Sequence, residues 1–228
     1  MRNSAAGSAG GIFEGALEFV FAGGASCVDN LENRTGGEVF MGISRAANPE
    51  WHGWVVLDHG RRDFFPGDNG PDARWAFEEC AGLHGLVRAF YLHNYWEAVF
   101  ADTMPAPLAV ALFDSAVVHG RNRALRFLQE AVNNLYGFSR VEVDGIFRRD
   151  SRRALEAILS RHEWYLQTIV AEVLRIRQGY CDLVACGDRQ AMAVCRKRVR
   201  GLQRLTECCR EDGVFIIPPE AFGLGLAC

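Results

Sequence analysis

Residues 13–24 of the chain read FEGALEFVFAGG, a pattern that predicts an amphipathic helix followed by a glycine pair. Four apolar side chains recur at i, i+4, i+7 and i+8, the spacing of one helix face: Phe13, Leu17, Val20 and Phe21. A glycine just past the last periodic residue is typical of a helix end. We therefore expect a helix that buries this face and stops at residues 23–24.

The composition is that of an ordinary soluble globular protein. The chain has 228 residues, is 49% hydrophobic, and carries 25 basic and 28 acidic residues for a net charge of −3. This balance argues against general attraction to nucleic acid or anionic lipid. No run of about eighteen apolar residues is present, so no membrane span is expected. Residues 1–11 lack the apolar segment of a signal peptide, and none is predicted.

Eight cysteines are present, and no CxxC pair occurs among them. Five fall between Cys181 and Cys209 in helical sequence, where a cysteine behaves as a small hydrophobe. We expect free, buried thiols and no metal. One or two disulfides remain open if the protein works outside the cytoplasm.

Residues 13–44 contain a chain of motifs that together resemble one enzyme family. The order is Phe-x-x-Ala-Leu-x-Phe-Val-x-Ala-Gly-Gly, a polar loop, Gly36-Gly37-Glu38, and then Gly42-Ile43-Ser44. It is similar to the N-terminal segment of glycoside hydrolase family 108, lysozyme-like N-acetylmuramidases of phage lysis and bacterial secretion systems. The resemblance implies that the family's general-acid Glu corresponds to Ala22, and that a following Tyr corresponds to Ala25. A methyl group has no proton to give, so the family's main catalytic group is missing here.

Further site residues follow from the same resemblance and from composition. Glu32 lies ten positions after Ala22, near the spacing of a second lysozyme carboxylate, but a solvated loop acid is the favoured interpretation. In the predicted hairpin, Glu38 is matched, while Val39 and Met41 stand where the family has Thr and Tyr. Residues 48–70 are rich in Gly, Asp and Pro and predict a loop with a short strand at 54–57. Within it, two indoles could stack on sugar rings or simply pack: Trp51 and Trp54.

A second block of similarity covers residues 108–129 and 143–155. LAVALFDSAVVHG at 108–120 parallels the family's Leu-Ala-x-x-Leu-Phe-Asp-x-Ala-Val-Asn-His-Gly, and Val143-Asp144-Gly145 parallels a Val-Asp-Gly turn. We interpret residues 108–128 as an apolar helix pair that closes the cleft. Asp114 and His119 lie in this block and could be mistaken for a catalytic pair, but structural roles are expected.

The remainder of the chain predicts helix from 160 to 210, with a break near Gly179 or Gly187. One helix face is expected to bury Trp164 together with aliphatic residues. The basic run at 196–200 reads as a solvated face, with contact to peptidoglycan carboxylates as the alternative.

The sequence thus predicts a mainly α-helical, lysozyme-like fold with a small β-hairpin lining the cleft. Predicted boundaries are a flexible segment 1–11, a catalytic half 12–105, a helical peptidoglycan-binding-type half 106–210 and a tail 211–228. The resemblance implies a peptidoglycan hydrolase cleaving the β-1,4 MurNAc-GlcNAc bond without metal or organic cofactor, its partner being glycan strands. It would be made in the cytoplasm and act on the cell wall, in the periplasm or outside the cell.

The alanine at position 22 has two possible explanations. It is either an engineered substitution, or the protein is a natural relative that no longer cleaves glycan. The alternative function is a non-catalytic peptidoglycan-binding or secretion-assisting protein. A third reading is a lysozyme that uses Glu32 or Glu38 instead.

Overall fold

The computed structural model describes residues 9–25, 38–64 and 81–209. Within these ranges the chain forms eight α-helices and one two-stranded antiparallel sheet. The helices are α1 (Ala9–Val20), α2 (Gly53–Phe64), α3 (Ala81–Tyr91), α4 (Ala106–His119), α5 (Arg121–Tyr136), α6 (Arg149–Leu159), α7 (Trp164–Val184) and α8 (Arg189–Cys208). The strands are β1 (Val39–Phe40) and β2 (Ile43–Ser44), and two π-helical turns span Phe21–Ala25 and Leu92–Trp96. Short 3-10 turns span Glu97–Val99 and Ala101–Thr103. The prediction of a mainly α-helical, lysozyme-like fold with a small β-hairpin is confirmed.

The described residues fall into two compact units. The helical unit contains residues 9–20 and 93–209, and the hairpin unit contains the described part of Phe21–Leu92. Helix α1 thus groups with the C-terminal helices. The domain limits predicted from the sequence, at 105 and 106, remain a prediction.

Helix α4 is the centre of the helical unit. Every residue from Pro107 to Ala116 is buried, and the helix packs against α1, α5, α7 and α8. A helix that is apolar on all sides must be covered on all sides, which explains why the neighbours surround it. The apolar helix pair predicted over 108–128 corresponds to α4 and the first half of α5.

Helix α1 covers one side of α4 through the face that the sequence predicted. Phe13, Leu17 and Val20 are buried, with exposed fractions between 0% and 6%. The Phe13 ring lies edge-on to Trp96 and to Phe113, with ring centroids 5.4 and 5.6 Å away. Such edge-to-face contacts add to the area buried by each ring.

Two expectations about the first helix need correction. The helix begins at Ala9, inside the segment predicted to be flexible. The glycine pair does not end the helical backbone, because the π-helical turn Phe21–Ala25 carries it through both glycines. In a π-helical turn the backbone hydrogen bonds join residues five positions apart. Glycine can adopt this backbone conformation as readily as the one that ends a helix.

Within the segment predicted as a loop with a short strand at 54–57, the described residues Gly53–Phe64 form helix α2 instead. Trp54 and Leu57, at i and i+3, are buried, whereas Val55 between them is 53% exposed. This is a helical and not an alternating pattern. The helical spacing covers only a few residues and is surrounded by Gly and Pro, so the sequence pattern predicted a loop.

Helices α7 and α8 are separated at Gly187, whose φ is +85°, while Gly179 lies inside α7. Asp188 caps α8, since its Oδ1 accepts from the backbone N–H of Gln190 at 2.9 Å. Trp164 was expected on the buried face and is 53% exposed, because it is the first residue of α7.

The five cysteines in the described part of the chain are free thiols, as expected. Only Cys181 is buried, however; Cys186 and Cys208 are exposed, and Cys195 and Cys209 are half-buried. The expectation of uniformly buried thiols is therefore wrong for this region. Cys27, Cys80 and Cys228 lie outside the described residues. Among the described helices, none combines the length and apolarity needed to cross a membrane.

Candidate functional site

Ala22, the position that the resemblance equates with the general acid, lies on the π-helical turn Phe21–Ala25. Its side chain is half-buried, and so is the preceding Phe21, whose ring meets Tyr91 edge-on at 5.4 Å. π-Helical turns inside α-helical segments occur frequently at functional sites, because the extra residue re-aims the side chains that follow. Position 22 therefore lies neither in the closed interior nor on the fully open surface. Ala25, the predicted Tyr position, ends the same turn.

The β-hairpin places Glu38, Val39 and Met41. Phe40 pairs with Ile43, so Met41 and Gly42 form a two-residue turn. Both have positive φ, +48° for Met41 and +76° for Gly42, which is the requirement of a type I′ turn. Glycine adopts this conformation at position 42 without the penalty that a Cβ would bring.

Met41 is the strained member of this turn, since a side chain in the left-handed region is disfavoured. Its backbone carbonyl accepts a buried hydrogen bond from the Tyr91 hydroxyl at 2.7 Å. The Met41 side chain is itself 6% exposed, so it faces the core of the hairpin unit. Val39 is half-buried on β1. Their roles in substrate binding remain predictions.

Glu38 belongs to an ion cluster centred on Arg45. The Arg45 Nε lies 3.1 Å from a Glu38 carboxylate oxygen, close enough for ion pairing but without hydrogen-bond alignment. Arg45 Nη2 donates to Asp58 Oδ1 at 2.7 Å, and the guanidinium lies 4.7 Å from the Trp54 ring centroid. One arginine therefore bridges two acids while covering an indole.

Both candidate sugar-stacking tryptophans pack inside the hairpin unit. Trp54 is 4% exposed, and its Nε1 donates to the backbone oxygen of Asn48 at 2.8 Å. Trp51 is half-buried against Phe40 and Phe90, and its ring lies so close over Gly53 that a Cβ there would be 2.2 Å away. These contacts favour the packing alternative, and a sugar contact by Trp51 stays a prediction. Glu32 lies outside the described residues.

Asp114 is fully enclosed in the helical unit, where it pairs with two arginines that the sequence did not single out. Arg177 Nη1 donates to Oδ2 at 2.7 Å and Arg198 Nη2 donates to Oδ1 at 2.6 Å. Burial alone raises the pKa of the Asp114 carboxyl, but the charges and hydrogen bonds of Arg198 and Arg177 outweigh it and lower that pKa to about 2. This carboxylate is a structural anion, as expected.

His119, at the end of α4, does not contact Asp114 as a catalytic base would. Its Nε2 lies 3.6 Å from the Cys181 Sγ. Burial, followed by the positive charge of Arg177, lowers the pKa of His119 to about 4. The expected structural role is therefore consistent with its surroundings.

The two arginines left a signal that the sequence analysis missed. Val173, Arg177 and Cys181 follow at intervals of four along α7, and all three are buried. A charged residue on a buried helix face requires a partner. The basic run at 196–200 is likewise only partly a solvated face, because Arg198 turns inward to Asp114.

A second missed contact joins two of the motifs. Gln129 Oε1 accepts from the Gly145 backbone N–H at 2.8 Å, and Gln129 Nε2 donates to Asp144 Oδ1 at 3.1 Å. Gly145 has a φ of +80°, and a Cβ there would come within 2.6 Å of the Asn122 carbonyl oxygen. The Val-Asp-Gly turn is thus held against α5 by these hydrogen bonds.

No group of three or more His, Cys, Asp or Glu side chains is arranged to hold a metal ion within the residues described. What the hairpin unit offers is a half-buried position on a π-helical turn and an anchored hairpin. Lysozyme-type cleavage needs a proton donor within hydrogen-bond reach of the leaving oxygen.

Comparison with protein-family models matches residues 19–120 to glycosyl hydrolase 108. No curated protein and no solved structure matches the chain. The matched segment runs from the last two residues of α1 to just past the end of α4, and it includes Ala22, the hairpin, Trp51 and Trp54. Residues beyond 120 lie outside the match, so the peptidoglycan-binding assignment of the C-terminal half stays a prediction. Residues 19–120, a little under half of the chain, are thus similar to glycoside hydrolase family 108, and this match supports a peptidoglycan hydrolase of the muramidase kind.

Proposed function

We propose that this chain engages the glycan strands of peptidoglycan as an N-acetylmuramidase does, but lacks the proton donor for cleavage because alanine occupies position 22. The observation that carries the proposal is the half-buried Ala22 on its π-helical turn, within the segment that matches the family. Its site of action would be the cell wall, in the periplasm or outside the cell.

The missing step is a proton transfer. In the family's reaction a glutamic acid protonates the leaving oxygen of the β-1,4 bond between N-acetylmuramic acid and N-acetylglucosamine, while water attacks the anomeric carbon. Apolar neighbours keep such an acid protonated near neutral pH by raising its pKa. An alanine methyl offers no proton, so turnover would be lost while sugar contacts made elsewhere survive.

The direct test replaces Ala22 and measures new reducing ends released from purified sacculi. We expect none from the chain as it stands and a clear release from Ala22→Glu. Ala22→Gln is the matched control, since it has the same length and hydrogen-bonding reach but no acidic proton. An Ala22→Glu variant that folds and binds sacculi yet releases nothing would contradict the assignment of position 22.

The second candidate is a non-catalytic peptidoglycan-binding or secretion-assisting protein. It is favoured by the loss of polar groups at Val39 and Met41 as well as at Ala22, since both stand where the family has hydroxyl side chains. Retention on purified sacculi without any activity in Ala22→Glu is the outcome that this candidate predicts.

A third candidate is cleavage that uses Glu32 or Glu38 as the acid. It predicts residual clearing by the unmodified chain, removed by Glu32→Gln or Glu38→Gln. Glu38 already contacts Arg45, so a role as the acid would require this ion pair to break.

A further inference from the structure

A basic pocket of about 500 Å³ lies in the helical unit where α4 meets α5. Its lining includes three arginines of the first two turns of α5, together with the end of α4 and an aromatic residue of α7. Among its lining residues are His119, Gly120, Arg121, Arg123, Arg126 and Tyr180. Five of the seven residues that line the pocket lie beyond the segment matched to the family.

The three arginines share the pocket without a counter-charge. None of them forms an ion pair with a carboxylate in the part of the chain that the structure describes, and no Asp or Glu is among the residues lining the pocket. Like charges held together around a concave surface repel one another. An anion in the pocket would remove this repulsion.

Two of the guanidinium groups are held in place. Arg123 lies over the Tyr180 ring at 4.5 Å from the centroid, a cation–π contact that limits its rotation. Arg126 has its Nε buried without a hydrogen-bond partner among the described residues. A guanidinium that is poorly hydrated on one side attracts an anion more strongly than a fully solvated one.

The backbone adds positive potential on the same side. Helix α5 begins at Arg121, its N-cap is Gly120, and no side chain caps it. The first N–H groups of a helix have no partner in the helix and carry the positive end of its dipole. The arginines and the helix terminus therefore act together.

A net positive charge also lies beneath the pocket. One carboxylate, Asp114, is shared there by two guanidinium groups, Arg177 and Arg198. Burial lowers the pKa of His119 at the pocket wall most, and the positive charges of Arg177, Arg198 and Arg123 lower it further, whereas the negative charge of Asp114 opposes them. With its pKa lowered to about 4, His119 remains neutral at physiological pH, so the positively charged side chains that line the pocket are the arginines.

We propose that this pocket binds a carboxylate or phosphate group carried by an organic ligand. Arginine forks match the oxygen geometry of both groups and bind them through paired hydrogen bonds. The volume exceeds what a bare oxyanion fills and lies in the usual range for small-molecule sites. The inference does not depend on the proposed function, although cell-wall polymers contain both kinds of group.

The test is calorimetric titration of the full chain with two probes, muramyl dipeptide as the carboxylate source and glycerol 3-phosphate as the phosphate source. Arg121→Gln/Arg123→Gln/Arg126→Gln should weaken binding of the preferred probe by about tenfold or more. The control is Arg153→Gln/Arg189→Gln/Arg204→Gln, which removes the same charge from exposed positions on α6 and α8 and should change affinity by less than about twofold.

Preference for the dipeptide assigns a carboxylate ligand, and preference for the phosphate ester assigns a phosphate ligand. The proposal is overturned if neither probe binds at millimolar concentration, or if both triple variants weaken binding equally. Should the pocket triple variant not fold, the exposed Arg121→Gln alone must still weaken binding more than Arg153→Gln does. Because no assay of glycan cleavage is involved, failure here leaves the proposal for Ala22 untouched.

Discussion

The two units of the molecule each contain a three-residue ion cluster, built in opposite ways. In the helical unit one carboxylate, Asp114, is shared by two arginines and is 1% exposed. In the hairpin unit one arginine, Arg45, bridges two carboxylates and keeps about a third of its side chain in solvent. The difference teaches that burial, rather than the number of charges, determines what such a cluster contributes.

The physical reason is desolvation. A buried charge that loses its partner cannot be rehydrated, so breaking the cluster destabilises strongly. A pair at the surface exchanges its partner for water at little cost. Loss of a charge from the inner cluster, around Asp114, should therefore destabilise the fold strongly. Loss of a charge from the outer cluster, around Arg45, should change the stability little.

The largest expected effect tests this comparison directly. Asp114→Asn leaves Arg177 and Arg198 without a compensating charge, and we expect a loss of about 3–5 kcal/mol in the free energy of unfolding. Asp58→Asn, the matched change in the outer cluster, should cost about 0–1 kcal/mol. Urea denaturation of both variants measures the two losses, and similar values would break the comparison.

A smaller effect is expected where the hairpin unit depends on close packing instead of charge. Gly53→Ala drives a methyl into the Trp51 ring and should cost about 1–3 kcal/mol. Gly85→Ala, on an exposed part of α3 with nothing within 4 Å of the new Cβ, should instead stabilise by about 0.5–1 kcal/mol. Hydrogen exchange by mass spectrometry would locate both changes, and the inference fails if Gly53→Ala is neutral.

Removal of the hydroxyl that anchors the hairpin turn comes next. Tyr91→Phe leaves the Met41 carbonyl without its buried donor, and we expect a loss of about 1–2 kcal/mol. The effect should appear as faster exchange of the hairpin amides while those of α4 are unchanged. Equal acceleration in both units would show that the bond is not local in its effect.

The smallest expected effect is the response of the helical unit to acid. The pKa of His119 is lowered from 6.5 to about 4, so the unfolded chain binds a proton first, and stability present above pH 6.5 is lost as the pH falls through about 4. Because the ring is partly exposed and solvent screens it, we expect on the order of 1 kcal/mol. His119→Gln should flatten this part of a plot of thermal midpoint against pH.

Asp114 extends the same response to lower pH. Its pKa is lowered from 3.8 to about 2, so the stability that it contributes is complete above pH 3.8 and is lost as the pH falls through about 2. In Asp114→Asn this second loss should be absent. A variant that keeps the full acid transition would contradict the role given to the inner cluster.

Some structural features could be predicted from the sequence, and others could not. The buried face of α1 and the apolar pair α4 and α5 were predicted because their period is long and regular. The helix at Gly53–Phe64 was missed because a short period lay among Gly, Asp and Pro. Asp114 and His119 were correctly separated from the catalytic candidates, but the partners of Asp114 lie 63 and 84 positions further along the chain. Periodicity within one helix cannot predict contacts between residues so far apart in the sequence.

The helical class, the resemblance over the N-terminal half and the alanine at position 22 can all be read from the amino-acid sequence alone. These follow from residue types and from spacings within a few turns, which local physics fixes. Tertiary structure decided that the glycine pair continues a π-helical turn, that Trp54 is packed in the core, and that three arginines gather at one pocket. Those outcomes depend on which distant side chains exclude water from one another, and that information is held only in the folded chain.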